Sequence, residues 1–200
     1  MDRHPTETKI LDEAIRIIET SGEASLRVHD IETAVGVTAP SIYHFFGSRE
    51  GLVAEAQAER LLRSFQRFDP VIEEAVASVT SRESAREAVR VLLTLIYDPS
   101  RTVERQRRLF AIGSAEGRPE LAKRVNEITR FYLNETTERL RPLQERGVIR
   151  PELDLEAFTY WFAGQILGRV YVEVGAESTL FPQWDEISID AVVYLLMGPE

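Results

Sequence analysis

The chain has no cysteine, which excludes disulfides and thiolate metal sites. Histidine is nearly as scarce: His4, His29 and His44 all fall in the first quarter of the 200 residues. They form no clustered ligand set, so no metal site is expected. No apolar run approaches the roughly 20 residues that a membrane helix needs. The stretch from Met1 to Lys9 is polar and carries no signal-peptide pattern. A cytoplasmic location with no membrane partner is therefore the default expectation. Sustained two-residue alternation is missing too, so no strand is predicted. No glycine-rich phosphate loop and no nucleophile-and-base pairing occurs, so no enzyme, catalytic residue or cofactor is expected. Cations are in deficit, with 24 Lys and Arg against 33 Asp and Glu, a net charge of −9. Residues 1–50 hold five cations (Arg3, Lys9, Arg16, Arg27, Arg49) against nine anions. Phosphate neutralisation drives nucleic-acid binding. Any such binding here has to rest on a small, well-placed set of contacts.

What the chain does have is helical patterning, with 44% hydrophobic residues to build a core. Ile10, Ala14, Ile17 and Ile18 share one helix face over residues 6–21, with Thr6 suited to the start and Gly22 to the stop. A short second helix fits Val28, Ile31 and Val35 and breaks at Gly36-Val37. A third starts at the N-cap residue Thr38, with Pro40 in the first turn, where its missing N–H costs nothing. Gly47 breaks it, and Ser48 can cap a fourth helix running to about Phe68. Further helices are predicted at about 70–80, 82–97, 101–116, 118–146, 154–174 and 185–197, with breaks at Asp98-Pro99, Gly117 to Pro119, Gly147 to Pro151 and Gly175 to Pro182. Asp69-Pro70 is the best candidate for a domain boundary. The expected fold class is all-α.

Residues 27–46 place two short helices around Gly36, the residue type a tight interhelical turn needs. Val28, Ile31, Val35, Ile42 and Phe46 can pack the pair onto the first helix. Of Tyr43 and Phe45, Tyr43 is the one expected outside. Thr38, Ala39, Ser41, Tyr43 and His44 are left for an outer face. Small and hydroxyl side chains there allow close approach, and a helix N-terminus attracts phosphate.

Asp30-Ile31, Ala34, Gly36-Val37-Thr38, Ser41-Ile42-Tyr43-His44-Phe45-Phe46, Ser48-Arg49-Glu50 and Leu52 agree in order and spacing with a known pattern. Residues 6–53 resemble the DNA-binding domain of the tetracycline-repressor (TetR) family. The resemblance implies a helix-turn-helix domain over 1–50 and a helical ligand-binding and dimerisation domain over 51–200. It also implies a recognition helix at about 38–44 and a phosphate contact from Arg49. The DNA-facing set is then Arg27, Thr38, Ala39, Pro40, Ser41, Tyr43, His44 and Arg49. Three positions depart from the pattern. Ala39 stands where lysine is frequent, Gly47 where proline is common, and Arg27 where a capping serine or threonine is common.

Beyond residue 150 the segment 154–174 is apolar on most sides, which suggests burial on most sides. Gly164 and Gly168, four apart, permit close helix approach. Trp161, Gly164, Gly168, Tyr171, Ala191 and Leu195 are the expected homodimer seam, built from this helix and the last one. Candidate pocket residues for a small molecule are Tyr97, Leu109, Ile112, Phe131, Tyr132, Trp161 and Gln165. Arg101, Arg105, Arg107 and Arg108 read as a solvated helix face, with Glu104 and Arg108 spaced for an i, i+4 pair. The function these features point to is a ligand-responsive repressor that binds double-stranded operator DNA. The rival is a helical interaction or ligand-binding protein that has lost DNA binding.

Overall fold

The computed structural model describes residues 3–175 and 181–199. All of the regular structure among them is helical. The chain forms two compact units. One runs up to Arg63 and takes in Ala111–Asn126; the other holds Ser64–Phe110 and the chain from Glu127 onward.

The first unit is built on α1 (Pro5–Ser21), α2 (Val28–Val35), α3 (Ala39–Phe46) and most of α4 (Arg49–Gln66). Helix α1 starts one residue earlier than its apolar pattern predicts. His4, not Thr6, is the cap: its Nδ1 accepts the backbone N–H of Thr6 at 3.1 Å. Imidazole is an uncommon cap, and Pro5 at the first helical position fixes the entry. The apolar faces meet as expected. Ile10, Leu11, Ile17, Ile18, Leu26, Ile31, Ile42, Phe46, Leu52 and Val53 form a closed core, with Val28, Val35 and Phe45 partly buried at its margin. Gly36 adopts the left-handed conformation, φ 74° and ψ 38°, at the turn between α2 and α3. Ser48 caps α4, accepting the N–H of Gly51 at 3.0 Å.

The second unit contains α5 (Asp69–Ser78), α6 (Arg82–Tyr97), most of α7 (Thr102–Gly113), the greater part of α8 (Pro119–Glu145), α9 (Leu155–Gly175) and α10 (Phe181–Met197). Leu93, Ile96, Tyr97, Leu143, Ile149, Leu155, Phe158, Val192 and Leu196 fill its core. Ser81 and Ser84 cap α6 reciprocally, each hydroxyl accepting the other's backbone N–H. A buried hydroxyl pair, Thr137 to Thr159 at 3.0 Å, joins α8 to α9. Helix α10 begins four residues before its predicted start because Pro182 sits in the first turn, where proline is tolerated. Residues 176–180 of the predicted break at Gly175 to Pro182 lie outside the described residues.

The arginines of α7 do not form the solvated face expected of them. Arg105 is 5% exposed. Arg108 donates from Nε and Nη2 to the hydroxyl and carbonyl of Ser64 and lies over the ring of Phe65 at 4.6 Å. Burial pushes its pKa down to about 10. Glu104 pairs with Arg67 at 2.5 Å and with Arg101 at 3.7 Å. Spacing along one helix cannot see acceptors offered by other helices, and those acceptors drew both guanidinia inward.

Candidate nucleic-acid interface

Helix α3 is two-faced. Ile42 and Phe46 are buried, whereas Thr38, Pro40, Tyr43 and His44 are exposed and Ala39 and Ser41 are half-buried. Tyr43 is 44% exposed. Phe45 turns partly inward and stacks on His4, ring centroids 5.6 Å apart. Burial on one side fixes the helix, and the other side presents hydroxyl, imidazole and phenol groups to solvent.

Thr38 is the N-cap residue, extended at φ −103° and ψ 155°, but its side chain makes no capping bond. The free N–H of Ala39 goes to the Oε1 of Glu32, seven residues back on α2, at 2.5 Å. His29 Nδ1 stands 3.6 Å from the other carboxylate oxygen. The end of α3 that favours an anion already holds one.

Arg49 is committed inward. Its Nε donates to the carbonyl of Leu26 at 3.1 Å, its Nη2 to the carbonyl of Glu23 at 3.2 Å, and its Nη1 to the carboxylate of Glu50 at 2.6 Å. Arg27 likewise donates to the carbonyl of Ala24 at 2.6 Å. Glu23, in the short 3-10 turn Glu23–Ser25, is a hub. Its carboxylate accepts from Arg118 and from the Gln57 amide at 2.9 Å. The Arg118 guanidinium holds the Glu23 carboxyl below the usual carboxylate range; burial works against this, and Gln57 adds to it.

Residues 10–56 match the family model of bacterial regulatory proteins, tetR family. The chain carries the TetR-family N-terminal domain. No curated protein matches the chain. Solved structures do, along nearly the whole length. One described as a TetR-family transcriptional regulator of Mesorhizobium loti MAFF303099 has a TM-score of 0.71 at 16% identity, covering 94% of this chain and 95% of that one. A TetR transcription regulator of Haloarcula marismortui has a TM-score of 0.65 at 15% identity, with 96% and 98% covered. A structure described as a transcriptional regulator of Saccharomonospora viridis, in complex with choline, has a TM-score of 0.65 at 17% identity, with 95% and 96% covered. At such identities the likeness establishes the fold: the whole chain has the TetR-regulator architecture.

The residues expected at a pocket lie as follows. Ile112 lies in the first unit and the other six in the second. Tyr97 is buried edge-on to Trp184, Tyr132 stacks on Phe65 with Phe131 beside it, and Trp161 tilts against Phe158. Phe131 and Trp161 are exposed, and Leu109 and Gln165 are half-buried. A separate groove of about 470 Å³ runs between α5 and α6, floored by Val71, Ala75, Ala88 and Leu92, with Glu74 and Glu87 at its rim.

The seam residues lie as follows. Trp161, Gly164 and Tyr171 are exposed on α9 and Gly168 is half-buried among them, at spacings of three and four along one face. A methyl group at Gly164 or Gly168 meets nothing beyond its own helix within 4 Å. Tyr171 is 83% exposed, and Val174, Ile187 and Tyr194 extend the apolar surface. Ala191 is half-buried, and Leu195 packs partly on the core of its own unit.

The charged cluster of Arg105, Arg169, Glu173 and Asp185 went unread in the sequence. A signal was present: Arg169 and Glu173 are the two charged residues in the apolar stretch Trp161–Val174, and they are four apart. Among the described residues no three histidine, aspartate or glutamate side chains gather as metal ligands. No helix there is long and apolar enough to cross a membrane.

Proposed function

We propose that this chain is a DNA-binding transcriptional regulator. It acts as a homodimer and releases double-stranded operator DNA when a small molecule binds its C-terminal domain. The observation that carries the reading is α3, buried through Ile42 and Phe46 and open through Thr38, Pro40, Tyr43 and His44, inside a TetR-family domain. A helix held this way can enter a major groove. Thr38, Ala39, Pro40 and Ser41 lie nearest the bases, and Tyr43 and His44 reach phosphate oxygens. The exposed apolar strips of α9 and α10 support a two-fold seam that sets two recognition helices about one DNA turn apart. Choline bound to the Saccharomonospora viridis protein supports a small-molecule effector for this fold.

A second reading, a helical ligand-binding protein without DNA affinity, draws on Glu32 at the head of α3 and on the inward commitment of Arg49. Selection of duplexes from a random pool, followed by anisotropy titration at several salt concentrations, separates the two. A regulator enriches a two-fold-symmetric site, and its affinity falls with salt at about −0.9 in log K per neutralised phosphate. With so few cations that slope is shallow. A pool with no enriched sequence would overturn the DNA-binding reading.

A further inference from the structure

The groove between α5 and α6 is made by leaving side chains small. Helix α5 lines it with Val71, Glu74, Ala75 and Ser78, and α6 from Ser84 through Ala88 to Leu95. The lining positions on each helix are three and four apart, which is one helix face. Alanine and serine occupy four of them, so the helices pack without filling the space, and about 470 Å³ remains. That volume is in the range of small-molecule sites.

The groove has a direction. The link Val79 to Ser81 joins the two helices. Ser78 and Ser84 lie next to it, and Val71, Val91, Leu92 and Leu95 line the far part. Glu74 and Glu87 stand between, one on each helix, at nearly equal distance along the chain from the link.

The serines are already bonded. Ser78 donates its hydroxyl to the carbonyl of Ala75 at 2.7 Å, and Ser84 is held in the cap of α6. The carboxylates are not. Neither Glu74 nor Glu87 has a hydrogen bond or ion pair among the described residues. Helix α5 carries no cation, and the cations on α6 or against the pair are engaged elsewhere. Arg82 donates to the carbonyl of Met197, Arg90 pairs with Asp190, Arg139 with Asp69 and Glu73, and Arg146 donates to the carbonyl of Val79. Arg86 has a partner of its own.

These features restrict the occupant. Two unanswered carboxylates repel an anion, and a neutral apolar molecule leaves both without a partner. A cation with an apolar body satisfies the rim and the floor together, and the net charge of −9 draws it in. A protein partner is a poor match. Helix α5 has ten residues, about 15 Å, a short wall for the roughly 800 Å² that a stable partner buries on each side.

We propose that this groove binds an organic cation, a primary ammonium on an apolar body. The ammonium, a donor with no acceptor, lies between Glu74 and Glu87 and donates to both. The body runs over Ala75 and Ala88 toward Val71, Val91 and Leu92. The ligand's role as effector rests on the ligand-responsive reading above, to which the site adds a chemical class.

Calorimetric titration of the full chain tests this with 4-phenylbutylammonium, 4-phenylbutanol and 4-phenylbutanoate, which share a body and differ in the head. The ammonium is expected to bind about tenfold tighter than the alcohol, within the reach of two exposed ion pairs, and the anion weakest. The gap should narrow as salt rises. Glu74→Gln combined with Glu87→Gln should bring the ammonium to the level of the alcohol. Both side chains are exposed, so the melting temperature should stay nearly unchanged. Val91→Ser, at an exposed wall position, should weaken ammonium and alcohol alike. Equal binding of ammonium and alcohol, absence of ammonium binding, or a double variant that binds it as wild type does each overturns the site. So does an affinity that falls as protein concentration rises, the sign of a second copy covering the groove. DNA anisotropy with the same compounds keeps the two claims apart. Ammonium that binds without releasing DNA upholds the site and removes its effector role, and so does release that persists in the double variant.

Discussion

The carboxylate of Glu32 caps α3, the proposed recognition helix, by accepting the N–H of Ala39 at 2.5 Å. The contact stabilises the helix through its unsatisfied first turn. It also sets a negative charge where a phosphate or base edge would approach. Glu32→Gln keeps an acceptor and removes the charge. It is expected to tighten binding to mixed-sequence duplex several-fold at low salt, with the melting temperature nearly unchanged. Glu32→Ala should lose about 1 kcal/mol of stability, the usual worth of a cap. Anisotropy and thermal melting measure both, and weaker DNA binding by the glutamine variant would show that Glu32 reads the DNA.

Arg49 ties the start of α4 to the carbonyls of Glu23 and Leu26. Arg49→Ala should therefore lower stability by roughly 1.5–3 kcal/mol, the range for hydrogen bonds from a charged group. Arg49→Lys should recover little of this, because an ammonium lacks the fork that reaches two carbonyls. If Arg49 serves phosphate instead, the alanine variant melts normally and the salt slope flattens by about one unit.

The Glu23–Arg118 pair gives a pH test. The folded pKa of Glu23 is lowered, chiefly by its bond to Arg118. A lowered carboxyl contributes stability above its unfolded value, near 4.5, and loses it as pH falls through the folded value. Wild type should thus lose more stability than Glu23→Gln between neutral pH and pH 4 or below. Parallel melting curves across that window would remove the pair from the stability of the first unit.

Gly168→Leu tests the proposed seam. The position is open within the chain, so the monomer can accept the side chain, whereas a close helix partner cannot. Overpacking costs roughly 1–3 kcal/mol, and a two-fold interface meets it twice. A folded monomer in sedimentation, with operator affinity reduced accordingly, is expected. A variant that remains dimeric places the seam elsewhere.

The helix-turn-helix was legible because its determinants are local. Gly22, Gly36 and Gly47 stop helices within sight of the residues they follow, and Ile31, Ile42 and Phe46 face the core by simple spacing. The roles of the arginines were not legible. The partners of Arg49 lie 23 and 26 residues away, and Arg105 reaches Glu173 across 68. A guanidinium on a long stem reports little through periodicity, since its helix position fixes the Cβ and not the fork. The capping role of His4 escaped for a related reason, because threonine is the commoner cap and stood two residues away.

The first unit is discontinuous in sequence, and this bears on how the protein can be cut and recombined. Leu121 and Val125 are buried in it, and Arg118 and Arg124 pair with Glu23 and Glu55. A chimera that swaps only residues 1–50 for those of a relative would part Arg118 from Glu23 and set a foreign surface against Ala111–Asn126. A functional transplant has to carry both pieces, up to Arg63 and Ala111–Asn126. A protease nick between them should leave the two fragments held together until they are denatured.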